Sequence, residues 1–117
     1  MSIAAAQTDI FVTEVAASHE VWTIQDSGGF PTSTNASGQT AMPFWSKQSR
    51  AQKVIDTIPG YRAFRPERLT LAEFVEKWLP GLEGDGLLAG LNWSGPRAIG
   101  YDMAPADVRA RIEAATG

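Results

Sequence analysis

Residues 84–89, with the sequence GDGLLA, are the first stretch whose residue types and spacing could support chemistry. They match G-x-G-x-x-A, a pattern in which backbone amides at a helix N-terminus bind a pyrophosphate. That chemistry requires a strand before the glycines and a helix after them. Here a helical pattern precedes the glycines and a strand-like run follows. The order is therefore reversed, and we interpret the motif as a turn in which Asp85 caps the backbone and Gly86 takes a positive φ.

The titratable side chains do not form a catalytic set. Glu83 and Asp85 alternate within one loop, whereas acid–base catalysis needs two carboxylates held across a substrate cleft. The chain has one histidine, His19, and no cysteine, which excludes thiolate chemistry, disulfides and multi-histidine metal sites. Ser46 and Ser94 have no base that the sequence places near them. The sequence therefore predicts no catalytic residue, no metal and no cofactor, and the balance is against an enzyme.

Aromatic side chains supply the best candidate for a binding site. The chain has four tryptophans, each of which buries about 150–250 Å² and needs a partner for its indole N–H. Helical spacing places Trp78 in the core, and most of the others are expected there. One or two tryptophans that line a groove beside an amide or an arginine would form a ligand or partner site. The candidate binding residues are Trp45, Arg62, Asp85, Asn92 and Trp93.

Charge is unevenly distributed along the chain. Residues 1–46 contain four acids and no Lys or Arg, whereas residues 47–68 contain six basic side chains. We interpret this basic block as a solvated face balanced by acids elsewhere, with a patch for an anionic partner as the alternative. The net charge of -3 gives no indication of binding to nucleic acid or to a membrane. The chain shows no secretory leader and no run of about 18 apolar residues, so a cytoplasmic protein is expected.

Hydrophobic periodicity predicts the element order αβββαβαββα. A capping box at Thr70 and Glu73 opens the clearest helix, which should kink at Pro80. Three β-rich runs joined by tight turns predict an antiparallel meander, and a hairpin follows the kinked helix. The predicted fold is a single α+β domain over residues 1–117, with helices packed mainly on one face of the sheet. The predicted strands are 21–25, 30–34, 40–45, 61–66, 87–93 and 98–103, and the predicted helices are 3–18, 46–58, 70–82 and one that opens at Pro105.

Several of these segments together resemble a known family. They are the run Val21 to Ile24 with Asp26, the run Pro43 to Ser46, the segment Leu71 to Trp78, and WLPGLEGDGLLAGLNW at residues 78–93. The set resembles the bacterial family known as domain of unknown function 2750, over roughly residues 8–110. The W-L-P-G-L…D-G…G-x-N-W string is the most specific part. The resemblance implies a small, stand-alone, cytoplasmic bacterial protein with no assigned activity, so no catalytic residue carries over.

Two main classes of function remain open at this point, and a third possibility is that the basic block binds nucleic acid, which would require binding that falls steeply with salt. The leading hypothesis is a non-enzymatic binding or interaction protein with a protein partner or a second copy of itself, and an immunity-type protein that neutralises a toxin is one form of it. The alternative is a ligand-binding sensor or an enzyme with a pocket near Trp45, Asp85, Asn92 and Trp93. A shifted carboxylate at Asp85 facing a cavity would favour the enzyme, whereas an exposed apolar patch would favour the interaction protein.

Overall fold

A computed structural model describes the chain from residue 3 to residue 117, with the side chains of residues 3–5 and 99 left undescribed. Residues 1 and 2 of the predicted domain lie outside the described residues. The helices are α1 (Ile3–Ser18), α2 (Gln48–Thr57), α3 (Leu71–Glu73), α4 (Leu79–Gly84) and α5 (Pro105–Thr116), with a 3₁₀ turn at Pro59–Tyr61. The strands are β1 (Glu20–Gln25), β2 (Ser33–Thr34), β3 (Thr40–Phe44), β4 (Arg65–Thr70), β5 (Leu88–Ser94) and β6 (Ile99–Met103). The predicted α+β class and the element order are confirmed.

The strand pairing differs from the predicted meander. β2 pairs with β3 in an antiparallel manner, but β1 pairs with β4, from Glu20 opposite Thr70 to Gln25 opposite Arg65. The larger sheet has the order β2-β3-β5-β6, and β3 runs parallel to β5. A parallel pair needs a long crossover. The segment from α2 to α4 forms that crossover. The predicted meander paired β3 only with the strands before it, so it contained no such connection.

The two sheets meet at a pair of tryptophans. Trp22 in β1 and Trp45 just after β3 exchange both backbone hydrogen bonds, at 2.8 and 2.7 Å. Next to this bridge, the Thr23 hydroxyl donates to the carbonyl of Pro43 at 2.9 Å. This side-chain bond is a second link between the two strands beside the Trp22–Trp45 bridge. β1 is therefore attached near its middle to the end of β3 and along its length to β4.

The sheet is buried on both faces. Met42, Phe44, Ala89 and Leu91 contribute to one core cluster, against which α1, α4 and α5 pack. The neighbouring residues on β3 and β5 point the other way into a second cluster, which α2 covers. Alternation along a strand sends successive side chains to opposite faces. The prediction that the helices pack mainly on one face holds for α1, α4 and α5, whereas α2 packs on the opposite face. The second cluster contains Ile24, Ala41, Trp45, Ala51, Val54, Ile55, Trp93 and Ala98.

The segment from Leu71 to Gly84 is the kinked helix that the sequence predicts. The capping box is present: the Thr70 hydroxyl accepts from the Glu73 amide at 3.0 Å, and the Thr70 amide donates to the Glu73 carboxylate at 3.1 Å. A π-helical stretch, Phe74–Trp78, accommodates Pro80, which lies in the first turn of α4. Trp78 packs on the core beside Phe44 and is partly buried, and its ring makes a T-shaped contact with Phe30.

Three local predictions need correction. The second strand spans Ser33–Thr34 rather than residues 30–34, and the fourth spans Arg65–Thr70 rather than 61–66, after a 3₁₀ turn at Pro59–Tyr61. The helix predicted over 46–58 spans Gln48–Thr57, and its N-cap, Lys47, makes no side-chain capping hydrogen bond. In the described part of the chain, no helix is both long enough and apolar enough to cross a membrane.

Candidate functional site

The end of β5 has an irregular backbone that positions Asn92 and Trp93. The pairing of β5 with β6 shifts register between Leu91 and Ser94. Asn92 there has a φ of 51°, a left-handed conformation that asparagine tolerates better than most residues. This bulge adds a residue to one strand. As a result the adjacent residues Asn92 and Trp93 are both buried, at 6% and 5% exposure.

Two glycines make room for the Trp93 indole. A Cβ on Gly90 would lie 2.5 Å from the indole Nε1 and Cε2, and a Cβ on Gly100 would lie 2.8 Å from Cδ1. Real Cβ atoms do not approach that closely, so both positions need glycine for the ring to lie flat across β5 and β6. The G-x-N-W part of the sequence is thereby explained: the glycine accommodates the ring, the asparagine supplies the bulge, and the tryptophan fills the space.

A second tryptophan holds this strand end in place. The indole N–H of Trp45, a residue with 1% exposure, donates to the Trp93 carbonyl at 2.8 Å. The Trp93 indole N–H in turn donates to Asp102 Oδ1 on β6 at 2.9 Å. Both indole donors are therefore satisfied inside the fold, as buried tryptophans require. Trp45 and Trp93 are structural elements of the site.

A polar chain links the bulge to α1. The Ser46 amide donates to Asn92 Oδ1 at 3.0 Å, and Asn92 Nδ2 donates to the Ser46 hydroxyl at 3.0 Å. That hydroxyl donates onward to Glu14 Oε1. A backbone amide can only donate, so Asn92 must present its oxygen to it. The chain therefore has one consistent direction, from Asn92 through Ser46 to the Glu14 carboxylate.

Glu14 is surrounded by cations from α2 and its N-cap. Arg50 binds both carboxylate oxygens, with Nε–Oε1 at 2.9 Å and Nη2–Oε2 at 3.1 Å, and Lys47 Nζ lies 3.6 Å from Oε2. The Arg50 hydrogen bonds lower the pKa of Glu14 against the opposing effect of burial, and Ser46 and Lys47 lower it further. Glu14 is thus held ionised with both oxygens occupied, an arrangement that suits an anchor between helices and does not suit a proton donor.

Replacing Glu14 with glutamine should make the protein less stable in a pH-dependent way. We expect a loss of about 1–2 kcal/mol at pH 7, since charged hydrogen bonds to Arg50 are removed. A lowered folded pKa stabilises the fold fully above the unfolded glutamate pKa of about 4.3, and this contribution disappears as the pH falls through the folded value. Urea unfolding of both proteins from pH 7 to pH 3 measures it. The gap between wild type and Glu14→Gln should narrow only below about pH 4.3, and a constant gap would contradict this role.

A groove lies beside this network, between α1, α2 and the turn after β5. We call it the α1–α2 groove, and its volume is about 720 Å³. Ile10, which is 44% exposed, forms part of its apolar wall together with Val54, Trp93 and Pro96. Its charged lining residues, among those that the structure describes, are Arg50 and Lys53. The complete lining is Gln7, Ile10, Arg50, Lys53, Val54, Thr57, Asn92, Trp93, Ser94, Gly95 and Pro96.

The structure brings together three of the five candidate binding residues. Asn92 and Trp93 line the α1–α2 groove, and Trp45 lies behind them through its bond to the Trp93 carbonyl. Asp85 precedes β5, whereas Asn92 is the fifth residue of that strand, so roughly 13 Å of strand separates the start of β5 from Asn92. Asp85 instead lines a smaller pocket of about 220 Å³ with Trp78. Arg62 is exposed after the 3₁₀ turn and does not line the groove.

Sequence reasoning missed several residues of this site. Ile10 and Glu14 were not singled out, and Ser46 was considered only as a serine without a base. The partners of Glu14 and Ser46 lie 32 to 46 positions away in the chain. Arg50 and Lys53 were recognised only as members of the basic block at residues 47–68. The contacts that join these residues form only in the folded protein, and no short stretch of sequence indicates them.

The fold and the site define a small α+β protein in which a ligand-sized groove lies against the bulged end of a mixed sheet. The chain belongs to the family described as protein of unknown function (DUF2750), whose model matches residues 8–112. The resemblance identified in the sequence is confirmed over nearly the same range. Searches of curated proteins and of solved structures found no significant match.

Proposed function

We propose that this chain is a non-enzymatic binding protein and that the α1–α2 groove is its binding site. The observation that carries the proposal is the groove itself: about 720 Å³, concave and largely apolar, with a few polar groups at fixed positions. Those are the properties of small-molecule sites in proteins. As the sequence predicts, we place this activity in the bacterial cytoplasm.

Among the described residues that line the groove, Lys53 is the side chain that could take part in acid–base chemistry, and Arg50 is the other titratable group beside it. The hydroxyls of the groove are Thr57 and Ser94, and no carboxylate or histidine is among the described residues that line it. Thr57 donates its hydroxyl to the Lys53 carbonyl at 2.7 Å. The Glu14 carboxylate, which Arg50 links to the groove lining, is bound by Arg50 and Ser46. Binding without turnover is the function that this lining supports.

Filling the groove should abolish ligand binding without unfolding the protein. Thr57→Trp adds an indole to an exposed position of α2 that lines the groove, and Ser49→Trp adds the same ring to an exposed position of α2 outside it. In a thermal-shift screen of small molecules, we expect compounds that stabilise the wild type and Ser49→Trp but leave Thr57→Trp unchanged. Compounds that stabilise all three proteins equally would show that ligands bind elsewhere. Consumption of a bound compound would favour the enzyme alternative.

A second candidate function is binding of a protein partner or a second copy through a different surface. Phe30 is 37% exposed, and its ring forms a T-shaped pair with Trp78 at a centroid distance of 4.9 Å. Trp78 also lines the smaller pocket with Met42, Leu82 and Leu87. An exposed aromatic pair beside an apolar hollow is typical of interaction surfaces. An immunity-type role would use this surface, which lies apart from the α1–α2 groove in its lining residues.

Self-association through this surface should depend on Phe30. Sedimentation velocity over a range of concentrations would show a dimer for the wild type that Phe30→Ser dissociates. Ile10→Ser, which removes the other exposed large apolar side chain of the described residues, should leave it intact. A wild type that stays monomeric at the highest concentration would rule out the second copy as partner.

A further inference from the structure

We propose that the ligand of the α1–α2 groove is a small amphipathic anion: an apolar body, aromatic or branched aliphatic, that carries one carboxylate, sulfonate or phosphate group. This inference rests on the proposed function and specifies its ligand. It depends on how the cations of α2 are neutralised, on the apolar wall opposite them, and on the absence of acids from the described lining.

The cations near the groove are not equivalent. Lys47 and Arg50 share Glu14 as their counter-ion. Lys53, one turn beyond Arg50 on the same flank of α2, lines the groove and has no ion-pair partner among residues 3–117 as described. Since residues three and four apart share one face of a helix, Arg50, Lys53 and Thr57 form a continuous wall. Lys53 is the unneutralised charge of that wall.

Three acids on α1 and α2 have other partners. Asp56 on α2 accepts from Gln52 Nε2 at 2.9 Å. On α1, Asp9 lies 3.7 Å from Arg111, and Glu14 is bound by Arg50. The α1 side of the groove contributes the uncharged Gln7 and Ile10. An anion that enters would therefore meet Lys53 without displacing an internal ion pair.

The apolar part of the lining indicates that the ligand also has an apolar body. Ile10 leaves 44% of its surface exposed over a groove that also contains Val54 and Pro96. Covering such surface is favourable by about 25 cal/mol per Å². A fully hydrated ion such as free phosphate would leave this wall uncovered. The combination selects a molecule with both parts, and the concave shape selects a small molecule over a flat protein surface.

Two dyes with closely related ring systems test the charge requirement directly. 8-Anilinonaphthalene-1-sulfonate has an aromatic body with one sulfonate, and N-phenyl-1-naphthylamine has the same rings without it. We expect the sulfonate dye to bind the wild type at one site and more tightly than the neutral dye. Lys53→Met should weaken the sulfonate dye about five- to tenfold, as loss of one partly exposed charge contact implies. The neutral dye should bind Lys53→Met no more weakly than the wild type.

Two control variants separate failure of this inference from failure of the proposed function. Lys77→Met removes an exposed lysine that lines the smaller pocket, and it should leave both affinities unchanged. Thr57→Trp should abolish binding of both dyes. If Thr57→Trp abolishes binding while Lys53→Met leaves the preference for the sulfonate intact, the groove is the site but the anion is not its ligand. If Thr57→Trp binds as the wild type does, both proposals fail. Far- and near-ultraviolet circular dichroism confirms that each variant is folded, since these dyes also bind disordered cores.

Discussion

Replacing Trp45 with alanine is expected to lower the free energy of unfolding by about 3–5 kcal/mol, the largest effect of any single change considered. Trp45 is 1% exposed and lies in the second core cluster between α2 and the sheet. Its backbone bridges β1 and its indole N–H binds the Trp93 carbonyl. Truncation would leave a cavity and an unsatisfied buried carbonyl together. Domains of this size are stable by about 5–15 kcal/mol, so much of the total would be lost.

Urea unfolding at pH 7 measures this loss, and Trp45→Phe separates its two causes. Phenylalanine retains most of the apolar volume but has no N–H donor, so it should cost roughly 1–3 kcal/mol, mainly for the unpaired Trp93 carbonyl. We expect the order wild type, Trp45→Phe, Trp45→Ala in midpoint denaturant concentration. A loss below about 1 kcal/mol for Trp45→Ala would mean that the second cluster is not a packed core.

Gly90→Ala should be the second most damaging change, at about 2–3 kcal/mol, although it adds a single methyl group. The added Cβ would lie 2.5–2.6 Å from three atoms of the Trp93 indole. Gly90 lies within β5 between β3 and β6, so the backbone cannot move aside easily. The indole would have to rotate and would lose its bond to Asp102.

A matched control and a double mutant identify the contact responsible. Gly81→Ala changes a helical glycine with nothing within 4 Å of the new Cβ, so it should be neutral or stabilising by about 0.5–1 kcal/mol. Combining Gly90→Ala with Trp93→Leu removes the ring that the methyl group strikes. The two changes should therefore be less harmful together than the sum of their separate effects, as a double-mutant cycle would show. Additive losses would mean that the glycine serves another purpose.

Local chemistry accounts for the parts of the fold that could be predicted. The helix from Leu71 was readable because its capping box and its apolar spacing both lie within one segment. The turn at Gly84 to Gly86 was readable because the element order excluded a nucleotide loop, and the helix before it and the strand after it are both present. Strand pairing could not be predicted from local sequence. The alternating apolar and polar residues of β1 would fit a neighbouring β2 as well as they fit β4, which is its partner although it lies about 40 or more residues away in the chain.

The candidate site was predicted in part for the same reason. Asn92 and Trp93 were recognised because both lie in one short string, and their roles depend on the adjacent Gly90. Asp85 lines a different pocket from Asn92 and Trp93, because it precedes β5 and roughly 13 Å of that strand separates Leu88 from Asn92. Glu14 could not have been linked to Ser46 and Asn92, because that network joins α1, α2 and β5 only after folding.

The central claim is that the α1–α2 groove binds a small amphipathic anion, and chemical-shift mapping tests it most directly. Titration of ¹⁵N-labelled protein with 8-anilinonaphthalene-1-sulfonate should shift amides around residues 7–10, 50–57 and 92–96, with the largest changes near Lys53 and Trp93. These are the segments that line the groove. The same titration of Thr57→Trp should leave them in place. Shifts centred on Phe30 and Trp78, or spread without a centre, would contradict the claim.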